Sequence, residues 1–136
     1  TKGQPSLQIS PLGFTTGWKN TADWLEWTAT VLTPGKFKIE VITTHQHLEP
    51  WSGGHTARIE AAGRSLRKKL TRDAEVAYIQ AAYFPRIATR MGQIEITETG
   101  LFTLRMFLDK ILPPPKDKPL WDDLSPLVVK VRLLPI

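Results

Sequence analysis

Eleven consecutive residues, His45-Gln46-His47-Leu48-Glu49-Pro50-Trp51-Ser52-Gly53-Gly54-His55, hold all three histidines of the chain and one of its five tryptophans. An imidazole can ligate a metal, or donate and accept hydrogen bonds at a hydroxyl-rich ligand. In an extended segment His45 and His47 would share one face, as a metal pair requires. Only His55 or Glu49 could add a further ligand, and the spacing matches no zinc pattern. No metal is therefore expected. Hydrogen bonding to a sugar through His45, His47 and His55, or a solvated loop, are the readings left. Trp51 and Trp121 both sit in long, otherwise polar stretches. An indole kept there points to a contact surface, because its flat face suits the C–H face of a pyranose ring. The alternative is that each ring packs down as a lid on the edge of the fold. Asp122 and Asp123 follow Trp121 directly and form an acidic turn or a pair of carboxylates.

Charge is concentrated rather than spread. From Arg58 to Arg72 six basic residues face a single acid, Glu60, so this window alone equals the net charge of +5. Arg64, Arg67, Lys68, Lys69 and Arg72 could attract sulfate or carboxylate groups of an anionic glycan, arginine as a fork and lysine as a point charge. They could equally be an edge strand that uses cations to block edge-to-edge pairing.

Catalytic machinery is not legible. There is no cysteine, which excludes disulfides, thiolate–zinc sites and thiol nucleophiles. Ser52-Gly53-Gly54 lacks the lysine of a phosphate loop, and no nucleophile elbow surrounds Ser52. No carboxylate pair stands in a recognisable glycosidase context. The expectation is a non-catalytic chain.

The elements that must position these residues read as strands. Leu25, Trp27, Ala29 and Val31 alternate with Trp24, Glu26, Thr28 and Thr30, the period of a half-buried strand. By parity Trp27 belongs to the core and Trp24 to the opposite surface. Pro34-Gly35 supplies a turn, and residues 36–43 alternate again, so the two segments read as a hairpin or a close pair. Residues 56–62 and 64–71 form two more strands around a tight Ala-Gly turn. Residues 74–84 are ambiguous between helix and strand; 87–97, 101–108 and 127–134 read as strands. Pro113-Pro114-Pro115 cannot continue a sheet interior. Eight or nine short strands and no long helix predict an all-β sandwich or barrel. The 136 residues suffice for one domain with its own core. Residues 1–6 are expected to be a frayed end or a linker remnant.

In this setting Asp23-Trp24-Leu25-Glu26-Trp27 followed by Pro34-Gly35-Lys36-Phe37 resembles the start of family-six-like carbohydrate-binding modules. Arg58-Ile59-Glu60 with Gly63, Met91-Gly92-Gln93-Ile94-Glu95-Ile96, Gly100-Leu101-Phe102-Thr103-Leu104-Arg105 and the ending Val129-Lys130-Val131-Arg132-Leu133-Leu134-Pro135 fit the same order. The likeness is greatest to the modules appended to α-L-fucosidases and polysaccharide sulfatases, and it spans roughly residues 14–135. It implies a jelly-roll-like β-sandwich that binds sugar at the loops of one edge or on a concave sheet face. It also implies that Asp123, with Asp122 beside it, lines the loop-edge site. Gln4 and Gln8 stand where many such modules carry carboxylates for a structural calcium, so calcium is disfavoured and no cofactor is expected. The expected partners are a polysaccharide, anionic or fucose-containing, and a covalently linked catalytic domain; nucleic acid and membrane are not expected. The resemblance places the protein outside the cell or in the periplasm. The competing reading is a structural accessory domain that packs on a catalytic domain without binding sugar.

Overall fold

In the computed structural model of the chain the described residues are 8–9, 15–16, 18, 21–45, 51, 53–76, 85–112 and 127–136. They contain no helix. The strands are β1 (Gln8–Ile9), β2 (Thr15–Thr16), β3 (Trp24–Val31), β4 (Gly35–Thr44), β5 (Thr56–Ala61), β6 (Arg64–Lys69), β7 (Ala74–Val76), β8 (Arg86–Ile96), β9 (Gly100–Lys110) and β10 (Leu127–Pro135). Two four-stranded antiparallel sheets, ordered β3-β9-β5-β6 and β10-β4-β8-β7, carry the fold, and β1 and β2 pair separately. Of the all-β sandwich or barrel expected from the alternating pattern, the sandwich that the resemblance implies is the architecture found.

Alternation decides which face each residue takes. Leu25 and Val31 of β3, Ala57, Ile59 and Ala61 of β5, and Leu104, Met106 and Leu108 of β9 point inward from one sheet. Ile39 and Val41 of β4, Met91, Ile94 and Ile96 of β8, and Val128 of β10 meet them from the other. Burial of each valine, leucine, isoleucine and methionine among them contributes about 1.5–3 kcal/mol. Trp27 packs against this core as its parity requires, and Trp18 is wholly buried in it.

One expectation is corrected. The segments read as a hairpin across Pro34-Gly35 lie in different sheets: β3 pairs β9, and β4 pairs β8 and β10. Residues 32–34 therefore carry the chain across the sandwich. Both strands offer an inward apolar row, and placing them in opposite layers packs the two rows face to face across the core. The Ala62-Gly63 turn does close a hairpin, between β5 and β6.

The two ends of the sandwich differ. At one, the connections are short: residues 32–34, 62–63 and 97–99. At the other, Trp24, Thr44, Thr56, Arg86, Lys110 and Leu127 stand together at strand ends, by the registers of both sheets. Every long connection leaves from and returns to that second end.

Candidate functional site

Trp51 lies at the long-connection end and is half-buried against the core. Its indole Nε1 donates to Thr43 Oγ1 at 2.7 Å. A Cβ built on Gly53 would collide with the ring, so the bare Gly53 backbone lies against it. With its donor engaged and Gly53 packed on it, Trp51 is held at the sandwich end and stays partly exposed.

His55 is only 2% exposed. Its Nδ1 accepts the Leu112 backbone N–H at 2.9 Å, and its carbonyl accepts the Leu70 N–H at 2.8 Å. Burial lowers its pKa below the ordinary imidazole value, and an accepting Nδ1 requires that nitrogen to be unprotonated. The ring therefore serves the scaffold, fastening the connection after Ile111 to that before β5, while the His55 backbone holds Leu70, and it presents little surface to a ligand. His45 follows β4 directly and is partly exposed at the same end. His47, Trp121, Asp122 and Asp123 lie outside the described residues, as do residues 1–6. The connection that carries Trp121 and both aspartates departs after Leu112 and returns at Leu127, at the end where Trp51 and His45 sit. Among the described residues no three His, Asp or Glu side chains are grouped to hold a metal ion.

A second group on the same end is not evident from sequence. On the outer face of the β3-β9-β5-β6 sheet, one register row reads Trp24, Phe107, Arg58, Arg67, one residue from each strand. Trp24 and Phe107 are stacked, with centroids 6.1 Å apart and planes at 28°. The Arg58 guanidinium lies 4.3 Å above the Phe107 ring, a cation–π contact. Arg58 is fixed by Glu60 at 2.6 Å and Asp109 at 3.1 Å, and Arg67 shares Asp109 at 3.0 Å. The next row pairs Arg105 with Glu26 at 2.8 Å. Trp24 Nε1 is buried without a hydrogen-bond partner among the described residues. An aromatic pair flanked by fixed charged forks offers ring stacking and bidentate hydrogen bonds side by side. The signal available in the sequence is the outward parity of Trp24; its stacking partner lies on a strand more than eighty residues away.

The basic run divides. Arg67 faces the outer surface with Asp109, while Lys68 turns to the other sheet and donates to the Arg90 carbonyl at 2.7 Å. Lys68 also meets Asp73 at 3.5 Å, and Arg72 meets Glu75 at 3.1 Å. Arg64 and Lys69 are exposed on β6, which is an edge strand.

No protein-family model and no curated protein matches the sequence. Solved structures do match by fold. The α-L-fucosidase from Vibrio sp. strain EJY3 aligns with a TM-score of 0.63 and 17% identity, over 97% of this chain and 24% of the fucosidase. The Podospora anserina GH26-CBM35 β-(1,4)-mannanase aligns with a TM-score of 0.54 and 9% identity, over 100% of this chain and 24% of the mannanase. A family 35 carbohydrate-binding module from Clostridium thermocellum aligns with a TM-score of 0.56 and 11% identity, over 98% of this chain and 90% of the module. The chain thus spans about a quarter of the two enzymes and nearly the whole of the isolated module. At these identities the shared property is the β-sandwich fold.

Proposed function

We propose that the chain is a non-catalytic carbohydrate-binding module that holds a linked, secreted enzyme at a polysaccharide, fucose-containing or anionic. The observation that carries this reading is the asymmetry of the sandwich. Short turns close one end, while the long connections gather at the other, beside the Trp24–Phe107–Arg58 row. A rigid scaffold with irregular segments at one end is the usual setting of a binding site. The fold shared with a carbohydrate-binding module supports the reading. In it, His45, His47, Trp121, Asp122 and Asp123 supply hydroxyl and ring contacts, and Trp51 and His55 hold the end in shape. Linkage to an enzyme would act by raising the effective concentration of enzyme at its substrate.

Affinity electrophoresis in gels containing neutral, uronate, fucosylated and sulfated polysaccharides tests this. Retardation by at least one fucosylated or anionic glycan is expected, weakened about tenfold or more by Trp121→Ala or Asp123→Ala. Free migration through the whole panel would remove the reading.

One observation favours the second reading, an accessory domain that packs on a catalytic neighbour. The short-turn end exposes Leu32 at 84% and Leu101 at 75%, beside a groove of about 450 Å³ near Phe37 and Phe102. Apolar surface of this kind marks contact sites. Free migration in every gel, together with destabilisation of the parent enzyme by Leu32→Asp, would put this reading first.

A further inference from the structure

We infer that the outer face of the β10-β4-β8-β7 sheet is a separate binding surface for an anionic polysaccharide. The inference takes the ligand class from the carbohydrate reading above but uses none of the residues of the long-connection end. Two β-bulges build this face, one in each strand that flanks β4. In β8 the register steps between Ile39 and Glu40, so that Gly92 opposes Ile39 and Arg90 opposes Glu40, with Met91 as the extra residue. In β10 the step falls between Val128 and Lys130. An extra residue reverses the parity of the strand beyond it. Met91 and Val128 consequently point into the core, while Arg90 and Gln93, and Lys130, Arg132 and Leu134, all face outward with Lys36, Lys38 and Glu40 of β4.

The result is a charged lattice. Neighbouring strands are about 4.8 Å apart and alternate residues about 6.6 Å apart. On it stand the cations Lys36, Lys38, Lys130, Arg132 and Arg90, and the acids Glu40 and Glu95, the latter opposite Lys36. Glu40, nearly buried, is gripped by Arg132 and lies 3.9 Å from Arg90. Lys36, Lys38 and Lys130 have no ion-pair partner among the described residues. A groove of about 650 Å³ runs along the face and is lined by Lys38, Glu40, Lys68, Arg90, Gln93 and Leu134. In the basic run from Arg58 to Arg72, Arg58, Arg67, Lys68 and Arg72 each already meet a carboxylate, which leaves Arg64 and Lys69 on the β6 edge without one among the described residues.

The shape selects among polyanions. Among the described residues no aromatic ring lines the groove, and single-stranded nucleic acid needs aromatic platforms for its bases. A broad sheet face cannot enter the major groove of a duplex as a helix or narrow ribbon does. An extended chain bearing sulfate or carboxylate groups can lie across the lattice, its charges on the lysines and its hydroxyls on the Gln93 amide.

The test compares retardation of the chain in gels of sulfated and uronate polysaccharide. Lys38→Glu/Lys130→Glu and the milder Lys38→Gln/Lys130→Gln are run beside Arg64→Glu/Lys69→Glu, with thermal unfolding confirming that each folds. The expected result is at least tenfold weaker binding for the first variant, a smaller loss for the second and near-parental binding for the third. No retardation of the parent by any anionic glycan, equal loss in the β6 variant, or displacement by duplex DNA as effective as by sulfated glycan would overturn it. The two readings separate cleanly. Anionic retardation that survives Trp121→Ala and Asp123→Ala but not Lys38→Glu/Lys130→Glu supports this surface even if every neutral gel fails.

Discussion

Trp51 illustrates how far a residue type can be read without its neighbours. A tryptophan in a polar stretch can be a platform or a lid, and sequence offers both. The partner that holds its donor, Thr43, precedes it by eight residues and meets it only once β4 is placed. Trp51→Phe keeps the ring and loses the 2.7 Å hydrogen bond, so it should cost about 1 kcal/mol in urea unfolding. Trp51→Ala also opens a cavity beside the core and should cost about 3 kcal/mol. Retardation of Trp51→Phe in a neutral glycan gel should match the parent; a marked loss of binding at unchanged stability would make the indole a ligand contact instead. Trp24 is the opposite case. Its parity places it outward, but the Phe107 ring and the Arg58 fork that turn it into part of a surface come from β9 and β5. Trp24→Ala should therefore weaken retardation in the gel that retards the parent about tenfold, while Trp24→Phe, which preserves stacking, should retain most of it.

Strand positions are readable because period-two alternation is a local property. Segments 24–31, 56–62, 64–71, 87–97 and 127–134 lie within two residues of the observed strands. Pairing is not readable, because it depends on which apolar rows bury each other; hence the expected pairing of β3 with β4 fails. The bulges are invisible for the same reason, and with them the cationic face. β1 and β2, two residues each, fall below any periodic signal. The β5–β6 turn carries a prediction at this scale. Ala62 has φ of 51° and Gly63 of 72°, the two positive values of a type I′ turn. Gly63 accepts this freely, whereas Ala62 has its Cβ close to the following carbonyl, at a cost of about 1–2 kcal/mol. Ala62→Asn, which restores the Asn-Gly pair preferred in such turns, should raise stability by about 0.5–1 kcal/mol. An unchanged or lower urea midpoint would show that the turn is held by the sheet and not by its own residues.

The whole molecule couples its long-connection end to pH through two groups that fasten connections to strands. His55 holds the segments after Gly54, Leu70 and Ile111 together, and burial depresses its pKa from 6.5. Asp73 accepts the Arg90 N–H at 2.7 Å, Thr71 Oγ1 at 2.9 Å and Lys68, and its pKa is lowered from 3.8, chiefly by the Arg90 backbone hydrogen bond. Both values are lower in the folded state than in the unfolded chain, so the unfolded chain binds protons first as the pH falls. Above 6.5 neither group distinguishes the two states by protonation, and both contributions are complete. Below 6.5 the unfolded histidine charges while the buried one resists, and stability declines until the folded imidazole also titrates. Below 3.8 Asp73 adds a second decline by the same logic, small because that side chain is exposed. Urea midpoints measured across the acid range from neutral pH downward should therefore fall in two steps. His55→Gln should abolish the step that begins near 6.5, and Asp73→Asn should reduce the one that begins near 3.8. If the first step persists in His55→Gln, another group carries it, and the neutral imidazole is not what joins the connections on which the proposed glycan site is built.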